Sequence, residues 1–586
     1  MSPPAPPGAA GAALDVDGSP VSADVKRKLL DVVADGRLRL PDRLTVRIND
    51  TDLKVVDGGT FKVGADIQVR LGSDESGGAK KVFDGQITAL EPEFTARGAE
   101  LVVSALDRGH LLQREVRTAT YTDMSYGAIA RKVASGAGLT TGSVDDGLTL
   151  AFVQQSNETD WEFLWRLALD VDYEVKVVGR QLNFRAAGNA AGSPVPLAWG
   201  KELLEFRPRV TGMQQVEQVT VRGWDPATQT AISAVASAPR PESRMGIARD
   251  DVVSALGAGG ATISDHPVLS QSHAQTIAKS VAAQLASVYV EGEGIAVGTP
   301  ALAAGAQAKI ARVGTRFSGT YTLTGVRHVY RARSGYRTHF SISGRAHRTL
   351  LGLSSPPAAA GWAQRIVVGV VDSNEDPDKL GRVRVKYPAL DETHPGWWAR
   401  LVVPGAGATR GFVTLPQKGD EVLIAFEHGN EQHPYLLGSV FNTQAQPGEP
   451  LVTPDGSFGL ATPHNVAISA GEKASLTAKT TMDLKSTGKA TLSTKGEDGG
   501  APAAVEVSAS GALNLTAEQA ATLEAKAGAT ITAKGELKVS GASVKISADG
   551  QVTVTGGPAG VKVSGGMVTI EGQQMVKISG PQVMLG

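Results

Sequence analysis

The residues of this chain that could do chemistry begin with two histidines and an acid close together in the sequence. His428, Glu431 and His433 are residue types that bind transition metals. Their order departs from the His-x-x-Glu-His pattern of zinc enzymes, and strand-like sequence flanks them on both sides. We therefore expect a turn between two strands here, and not a metal site.

Two groups of carboxylates could act as general acid and base, because paired carboxyl groups are a common catalytic device. One group is Asp145 with Asp146, and the other is Glu158, Asp160 and Glu162. A solvated loop explains the first group. The second suits the first turn of a helix, where negative charge is favourable. We therefore expect no catalytic residues in either group.

Other chemical signatures are weak or absent from the sequence. Gly405, Gly407 and Gly411 resemble a phosphate-binding loop only loosely, without a following helix, so we expect a loop between strands. The chain has no cysteine, which excludes disulfides and thiol chemistry. Lys and Arg number 58 against 59 Asp and Glu, so no net charge favours nucleic acid. We expect no cofactor and no metal.

The elements that hold these residues are mostly short alternating strands up to about residue 353. Helices are predicted at 123–137, 158–170 and 270–290 from apolar residues at helical spacing. In the second of these, Trp161, Leu164, Trp165 and Ala168 recur on one face, which indicates core packing. Residues 227–268 are rich in Ala, Ser and Gly, and we expect a loop-rich excursion there.

A Pro- and Ala-rich linker at 354–365 separates this first region, 21–353, from a compact, strand-dense one at 366–442. We expect strands at 382–387, 397–403, 411–415, 421–426 and 435–441. About five strands in a segment of this length is typical of a small OB-type barrel. A second linker follows at 443–465.

The segment 466–586 repeats one short-strand theme about every eight residues, with Gly or Asp-Gly between repeats. We predict strands at 529–532, 537–539, 544–546, 552–554, 561–563, 568–570 and 576–578. Three alternating residues cannot bury a face alone, because small apolar side chains supply little area. The repeat must therefore find partners, either along one chain in a solenoid or between several intertwined chains.

The first residues, 1–20, are rich in Pro, Ala and Gly, and we expect a disordered tail. They lack the basic and apolar regions of a signal peptide, and no stretch is apolar enough to span a membrane. We therefore expect synthesis and assembly in the cytoplasm, with any release or delivery outside the cell independent of a signal peptide.

Several motifs in one order carry a family resemblance. The segments GRVRV at 381–385, WWAR at 397–400, GFVTLP at 411–416, GDEVLIAF at 419–426 and HPYLLGSVFN at 433–442 resemble the OB-domain signature of VgrG spike proteins. Upstream, FVQQSNE at 152–158 and WEFL at 161–164 resemble the hub half of that family, which is similar to the hub proteins of contractile phage tails.

The resemblance implies a mainly β homotrimer: hub β-barrels with a few helices, an OB-fold barrel, and a C-terminal intertwined triple-stranded β-helix. Such a spike docks on the inner tube and baseplate of a contractile injection system and punctures a target envelope mechanically, without catalysis. A PAAR-type tip protein at the needle end and a cargo effector are further partners that the resemblance suggests.

The last residues are the candidate tip-protein site. Three copies of an apolar terminus should not face water, so we expect a tip protein to cover them. The residues concerned are Gln582, Val583, Met584, Leu585 and Gly586. The chain stops directly after the repeat, and we expect neither an appended effector domain nor an inserted lysozyme domain.

Three classes of protein remain open at this point. A structural spike is favoured by the order of hub, OB domain and needle. A β-helical carbohydrate-processing enzyme would need a charged cluster on the solenoid, and a trimeric adhesin would need an export signal. Within the spike class, the sequence is most like extracellular phage-tail-like particles, with a type VI secretion VgrG spike or a phage tail spike as alternatives.

Overall fold

The computed structural model describes residues 11–72, 78–188, 192–213, 215–225, 228–257, 259–264, 268, 270–344, 366–389, 391–448, 458–494 and 504–584. The chain forms two compact units, Met1–Pro463 and His464–Gly586. The predicted linker at 354–365 lies outside the described residues, as does part of the one at 443–465.

The first unit begins with strands and short helices in alternation. The strands are β1 (Gly11–Val16), β2 (Ser19–Pro20), β3 (Leu29–Arg37), β4 (Leu40–Asn49), β5 (Asp66–Gly72), β6 (Lys80–Thr95), β7 (Gly98–Leu106), β8 (Val116–Ser125), β9 (Thr140–Val144), β10 (Thr149–Thr159), β11 (Tyr173–Val178) and β12 (Gln181–Ala186). The helices are α1 (Ala23–Lys28), α2 (Lys54–Asp57), α3 (Tyr126–Gly136) and α4 (Asp160–Val171), with a 3-10 helix at Arg108–Gln113.

Strand β1 corrects the expectation of a disordered tail through residue 20. Ala12, Leu14 and Val16 alternate along it and are buried. The strand pairs antiparallel with β5, so that Leu14 lies opposite Val69. A strand forms because alternate side chains reach one face of a core, a pattern that the Pro- and Ala-rich composition concealed.

Helices α3 and α4 begin at side chains that cap them. Ser125 Oγ accepts a hydrogen bond from the backbone N–H of Ala128 at 3.1 Å. At α4, Thr159 Oγ1 accepts from the backbone N–H of Glu162, and the Glu162 carboxylate accepts from the backbone N–H of Thr159 at 2.9 Å. This capping box satisfies N–H groups that the helix itself leaves unpaired.

The predicted core stripe of α4 is confirmed. Trp161, Leu164 and Ala168 are buried, and Trp165 is half-buried. Leu164 packs in one apolar cluster with residues of α3, β11 and β12.

We define the hub region as the described residues 11–344. Its second half also consists of strands with a few helices between them. Its strands are β13 (Val195–Ala198), β14 (Leu203–Val210), β15 (Gln218–Asp225), β16 (Thr230–Ser237), β17 (Arg244–Met245), β18 (Gly260–Ile263), β19 (Val290–Val297), β20 (Gln307–Ala311), β21 (Gly319–Thr322), β22 (Gly325–Arg331) and β23 (Gly335–Ile342). Its helices are α5 (Arg249–Leu256), α6 (Gln271–Ser287) and α7 (Gly314–Phe317).

The expected loop at 227–268 is wrong over much of its length. Strands β16, β17 and β18 and helix α5 lie within it. Strand β15 pairs antiparallel with β16 and parallel with β18. Small residues such as Ala234 and Ala236 are buried here against α6, so a sheet forms from residues of low hydrophobic signal because a helix covers it.

One long sheet joins the two halves of the hub region. Its strand order is β14-β19-β23-β22-β3-β4-β7-β6-β5-β1-β2. The junction is the antiparallel pair of β22 and β3, in which Val329 lies opposite Val33. Strands far apart in sequence thereby complete a single sheet.

The barrel region, residues 366–448, contains the predicted small barrel. Its strands are β24 (Val367–Ser373), β25 (Val383–Tyr387), β26 (Asp391–Leu401), β27 (Ala406–Gly407), β28 (Arg410–Gly411), β29 (Glu421–Phe426) and β30 (Pro434–Ser439). The five long strands close in the order β24-β25-β26-β30-β29. The predicted strand at 411–415 is wrong: apart from its first residue it is irregular, and its apolar residues Phe412 and Val413 are exposed.

The second unit differs from the first in secondary structure and in burial. Across the described residues 464–494 and 504–584, every residue is exposed and none is assigned to a strand. The seven predicted short strands at 529–578 are thus not formed within the single chain.

No helix in the described part of the chain is long and apolar enough to cross a membrane.

Candidate functional sites in the hub, the barrel and the C-terminal segment

The acids at the start of α4 all have structural partners. Glu158 forms an ion pair with Arg166, with Oε1 2.6 Å from Nη2. Asp160 accepts a hydrogen bond from Arg117 Nε at 2.8 Å, and Glu162 caps the helix. These carboxylates form the hydrogen bonds and ion pairs that hold α4 against its neighbours. They are not arranged as an acid–base pair.

The other acidic group, Asp145 and Asp146, is likewise divided between two structural roles. Asp145 Oδ2 accepts a hydrogen bond from the backbone N–H of Ala186 at 2.9 Å. Asp146 pairs with Arg131 at 2.9 Å, and the hydrogen bond from that guanidinium lowers the pKa of the exposed carboxyl. The two carboxylates therefore hold separate neighbours.

The histidines of the barrel region are not assembled into a metal site. His433 Nδ1 lies 3.1 Å from Glu427 Oε2, which also accepts a hydrogen bond from the Tyr435 hydroxyl at 2.9 Å. His428 lies in a short 3-10 turn with a φ of 50°. Within the described ranges, no group of three or more His, Asp or Glu is placed to hold a metal ion.

Glu431, grouped with these histidines in the sequence, instead faces the hub region. The charge of Arg166 and the neighbouring Glu158 both act on it. Burial raises the pKa of Glu431, and the Arg166 guanidinium opposes that rise. The loop between β29 and β30 thus carries an acid to the guanidinium that already pairs with Glu158.

An aromatic contact lies at the same interface. The rings of Phe152 on β10 and Trp397 on β26 are 5.3 Å apart between centroids and tilted by 31°. We call the set Phe152, Glu158, Arg166, Trp397 and Glu431 the hub–barrel joint. It combines an apolar contact with a charged one, so it fixes the barrel on the hub region by shape and by charge.

Sequence reasoning identified the segments of this joint without recognising that they meet. Phe152 and Glu158 lie in FVQQSNE, and Trp397 begins WWAR, both singled out as family motifs. The spacing within each motif carries no information on which distant motif it contacts. A signal for the joint was therefore absent from the single sequence.

The second tryptophan of the barrel motif has a different environment. The guanidinium groups of Arg382 and Arg384 lie 5.9 and 5.6 Å from the Trp398 ring centre. Arg382 is itself fixed by Asp376, with Nη2 2.6 Å from Oδ1. That hydrogen bond lowers the pKa of Asp376. The adjacent tryptophans thus have different contacts: Trp397 packs against the hub region, and Trp398 lies under two arginines of the barrel.

The C-terminal segment presents pairs of apolar residues two positions apart. The first member of each pair is between 48% and 58% exposed and the second between 59% and 76%. The pairs are Leu537/Val539, Val544/Ile546, Val552/Val554, Val561/Val563, Val568/Ile570 and Val576/Ile578. Such regularity indicates one backbone conformation repeated along the segment, with apolar area that its own chain does not bury.

The residues of the predicted tip-protein site are only partly within the described ranges. Val583 is 47% exposed and Met584 is 89% exposed, while Gln582 is exposed as well. Leu585 and Gly586 lie outside the described residues. The described part of the site is therefore an accessible apolar surface.

Two family models match this chain. The Alg8 N-terminal domain matches residues 11–331, more than half of the chain. The type VI secretion system/phage-baseplate injector OB domain matches residues 367–441, which coincide with the five-stranded barrel. The first match begins with β1, in agreement with the ordered strand found there.

Curated relatives match shorter segments. The chain is 29% identical over 119 residues to the type VI secretion system spike protein VgrG5 of Pseudomonas aeruginosa, covering 19% of this chain and 15% of that protein. It is 31% identical over 194 residues to the probable baseplate hub protein of Escherichia phage P2, covering 31% and 48%. The chain thus spans less than half the length of each of these two relatives.

Among solved structures, an E. coli type VI secretion component described as similar to the T4 tail proteins gp27 and gp5 shares 16% identity. That similarity covers 73% of this chain and 99% of the other, with a TM-score of 0.48. A chain of the Francisella PdpA-VgrG complex shares 8% identity over 75% of this chain and 79% of the other, with a TM-score of 0.43. By its matching domains, the chain belongs to the family of the Alg8 N-terminal domain and is a VgrG-like protein.

Proposed function

We propose that this protein is the subunit of a homotrimeric central spike in a contractile injection system. The hub region docks on the inner tube and baseplate, the barrel forms a collar, and three C-terminal segments intertwine as a needle. The observation that carries the proposal is the row of exposed apolar pairs in the C-terminal segment, which calls for other chains to cover it.

The physical case for intertwining rests on area and on backbone hydrogen bonds. Each pair offers two aliphatic side chains, and burying one Val or Ile contributes roughly 1.5–3 kcal/mol. Strand pairing between chains would also give every backbone N–H and C=O a partner and leave no open sheet edge. A needle built this way resists bending, so the proposed role is mechanical and not enzymatic.

The proposed setting is an extracellular, phage-tail-like particle assembled in the cytoplasm and released or delivered outside the cell. A type VI secretion spike and a phage tail spike are alternatives, and the relatives named above include both a VgrG spike and a phage baseplate hub. The proposed partners are tube and baseplate proteins at the hub region, with a cargo effector as a further one.

The test of the spike assignment is the mass of the purified protein in solution, measured by multi-angle light scattering. A trimer gives about three times the chain mass of 60.7 kDa, the value expected for a closed three-fold assembly. A monomer would contradict the intertwined needle. It would favour a single-chain solenoid, and with it the carbohydrate-processing alternative.

We also propose that a PAAR-type tip protein covers Gln582, Val583, Met584, Leu585 and Gly586. The exposed side chains of Val583 and Met584 support this, because three such termini together form an apolar patch. Removing residues 582–586 should abolish co-purification of a co-expressed tip protein while the trimer mass stays unchanged. A tip protein that still binds the shortened spike would exclude this site.

A further inference from the structure

A cleft of about 640 Å³ lies on the solvent face of the long sheet, where the two halves of the hub region join. Strands β3, β14, β19, β22 and β23 line it. We call it the arginine cleft, after Arg327, Arg331 and Arg337, which are exposed in it beside His339. Nothing in the proposed spike assembly assigns a ligand to this face.

Strand β22 sets the spacing of the groups in the cleft. Arg327, Val329 and Arg331 point to the solvent face, because side chains two residues apart lie on the same side of a strand. The intervening His328 is buried on the opposite face. Antiparallel pairing brings Val33 of β3 next to Val329, so a half-buried apolar strip separates the two cationic positions.

Some charges in the cleft are already neutralised. Arg207 Nη1 lies 3.1 Å from Glu293 and its Nη2 3.4 Å from Glu205, while Arg37 lies 3.5 Å from Asp35. Three other arginines line the same cleft, namely Arg327, Arg331 and Arg337.

These three arginines lack such partners. In the part of the chain that the structure describes, no carboxylate lies within ion-pair distance of Arg327, Arg331 or Arg337, although Asp35 is opposite Arg327 and Asp31 is opposite Arg331 across the strands. Burial lowers the pKa of His339, and the charges of these three arginines lower it further. The middle of the cleft therefore carries a positive potential that is open to an anion.

The chemistry of the cleft distinguishes among anions. Arginine forks match the geometry of carboxylates as well as phosphates. The ion-paired acids Asp35, Glu205 and Glu293 take up part of the lining, so the remaining cationic positions are few and spaced, which does not suit a continuous phosphate backbone. The aromatic residue that lines the cleft, Phe340, is buried, so there is no stacking platform for bases. These features favour a polypeptide whose acidic residues are spaced and interrupted by apolar ones.

We propose that the arginine cleft binds an extended acidic polypeptide segment with the pattern acid-x-apolar-x-acid. In an extended chain these three positions lie on one side, so the acids meet Arg327 and Arg331 while the apolar residue covers Val329 and Val33. Arg337 strengthens the positive field at the same place. The segment belongs to a partner that approaches this sheet face.

The test uses the full-length protein and two labelled peptides of equal composition. The spaced peptide repeats Glu-Ser-Val-Ser, and the scrambled peptide carries the same residues with its glutamates adjacent. Fluorescence anisotropy should show tighter binding of the spaced peptide. The double variant Arg327→Gln/Arg331→Gln should weaken that binding about tenfold or more, because each charged hydrogen bond lost contributes to affinity.

Two matched variants control for folding and for charge alone. Arg222→Gln removes an exposed arginine of β15, outside the cleft, and should leave binding unchanged. Arg327→Lys keeps the charge without the fork, and should fall between the native protein and the double variant. Thermal unfolding of all variants should coincide with that of the native protein.

The proposal fails if the double variant binds the spaced peptide as tightly as the native protein does. Equal binding of the two peptides would reduce the cleft to a nonspecific positive surface and overturn the assignment. Tighter binding of a single-stranded oligonucleotide of equal charge would reassign the cleft to nucleic acid.

Discussion

The hub region and the C-terminal segment bury their apolar residues by opposite means. In the hub region, sheets and helices bury apolar clusters within one chain, with Leu44, Phe163 and Tyr321 fully buried. In the described part of the C-terminal segment, Val561 and Val563 stay exposed, as do the equivalent residues of every repeat. The hub region thus covers its apolar residues with its own chain, whereas the described C-terminal residues leave theirs for the association proposed above.

The contrast follows from side-chain size and repeat length. Hub strands are long enough to carry several alternating large residues, and helices cover them, so burial within the chain exceeds the cost in conformational entropy. The repeats of the C-terminal segment offer two aliphatic side chains between turns. A single repeat gains little burial from its own residues, and in the proposed trimer the remaining gain comes from the other chains.

The largest effect is expected from changing one repeat of the needle. Val561→Ser/Val563→Ser removes an apolar pair from each of three chains, and each buried Val contributes roughly 1.5–3 kcal/mol. We expect the trimer to dissociate at lower denaturant concentration, or to be lost, while the hub region stays folded. Light scattering and circular dichroism against denaturant measure the two properties separately.

Lys562→Ser is the matched control, because Lys562 lies between the two valines. It should leave the trimer mass and its dissociation midpoint unchanged. Equal sensitivity of the control and the double variant would mean that the apolar pairs do not carry the association.

A cavity in the hub core should give the converse result. Leu164 is fully buried in α4, and Leu164→Ala should reduce the free energy of unfolding of the hub region by about 2–5 kcal/mol. The needle should still associate. Tryptophan fluorescence during denaturation follows the hub region together with the barrel, and not the needle, because the C-terminal segment contains no aromatic residue after residue 464. A change in trimer mass with the hub still folded would contradict the separation of the two regions.

Acid should destabilise the hub region through His328. His328 Nε2 lies 3.1 Å from the carbonyl oxygen of Leu302 and must donate to it, so Nδ1 accepts from the Tyr336 hydroxyl at 2.7 Å. Burial lowers the pKa of His328 to about 4. As pH falls from the unfolded-state pKa of about 6.5 towards 4, this histidine binds a proton in the unfolded chain but stays neutral in the folded chain, which favours unfolding.

This group alone should lower the free energy of unfolding by roughly 3 kcal/mol across that pH window. The measurement is denaturant unfolding at several pH values, compared with His328→Gln, whose amide can both donate and accept. The variant should flatten the pH dependence between pH 4 and 6.5. An unchanged slope would exclude His328 as its source.

The smallest effect is expected at the hub–barrel joint. A double-mutant cycle on Phe152→Ala and Trp397→Ala should give a coupling free energy of about 0.5–1.5 kcal/mol, as for other aromatic pairs. Trp398→Ala with Phe152→Ala is the control cycle, because Trp398 packs under Arg382 and Arg384. It should show coupling near zero. Equal coupling in both cycles would indicate a general loosening of the barrel.

Much of the fold was predictable because it depends on local periodicity. Helices α3, α4 and α6 and the barrel strands β25, β26, β29 and β30 have strong apolar patterns, and the structure has them near the predicted positions, whereas β24 was not predicted. Helix α5 and strands β16–β18 were missed because their buried residues are small, such as Ala234 and Val253. Their folding depends on cover by α6, which no local pattern reports.

The functional surfaces were less predictable than the elements that carry them. The apolar pairs of the C-terminal segment repeat about every eight residues and were found. The arginine cleft needed the register of β22 against β3, and the hub–barrel joint needed the ring contact of Phe152 with Trp397, residues far apart in sequence. Such contacts are determined by tertiary packing, and the spacing of residues within a sequence motif does not reveal them.

The pairing of β22 with β3 also has a consequence in time. On the ribosome, β3 and β4 are made early, but the edge of β3 that β22 will cover stays open until residues beyond Gly325 have been added. At synthesis rates of roughly 5–20 residues per second, that interval is on the order of tens of seconds. An uncovered strand edge is a template for pairing with other chains, so nascent hub regions are exposed to misassembly until the second half closes the sheet.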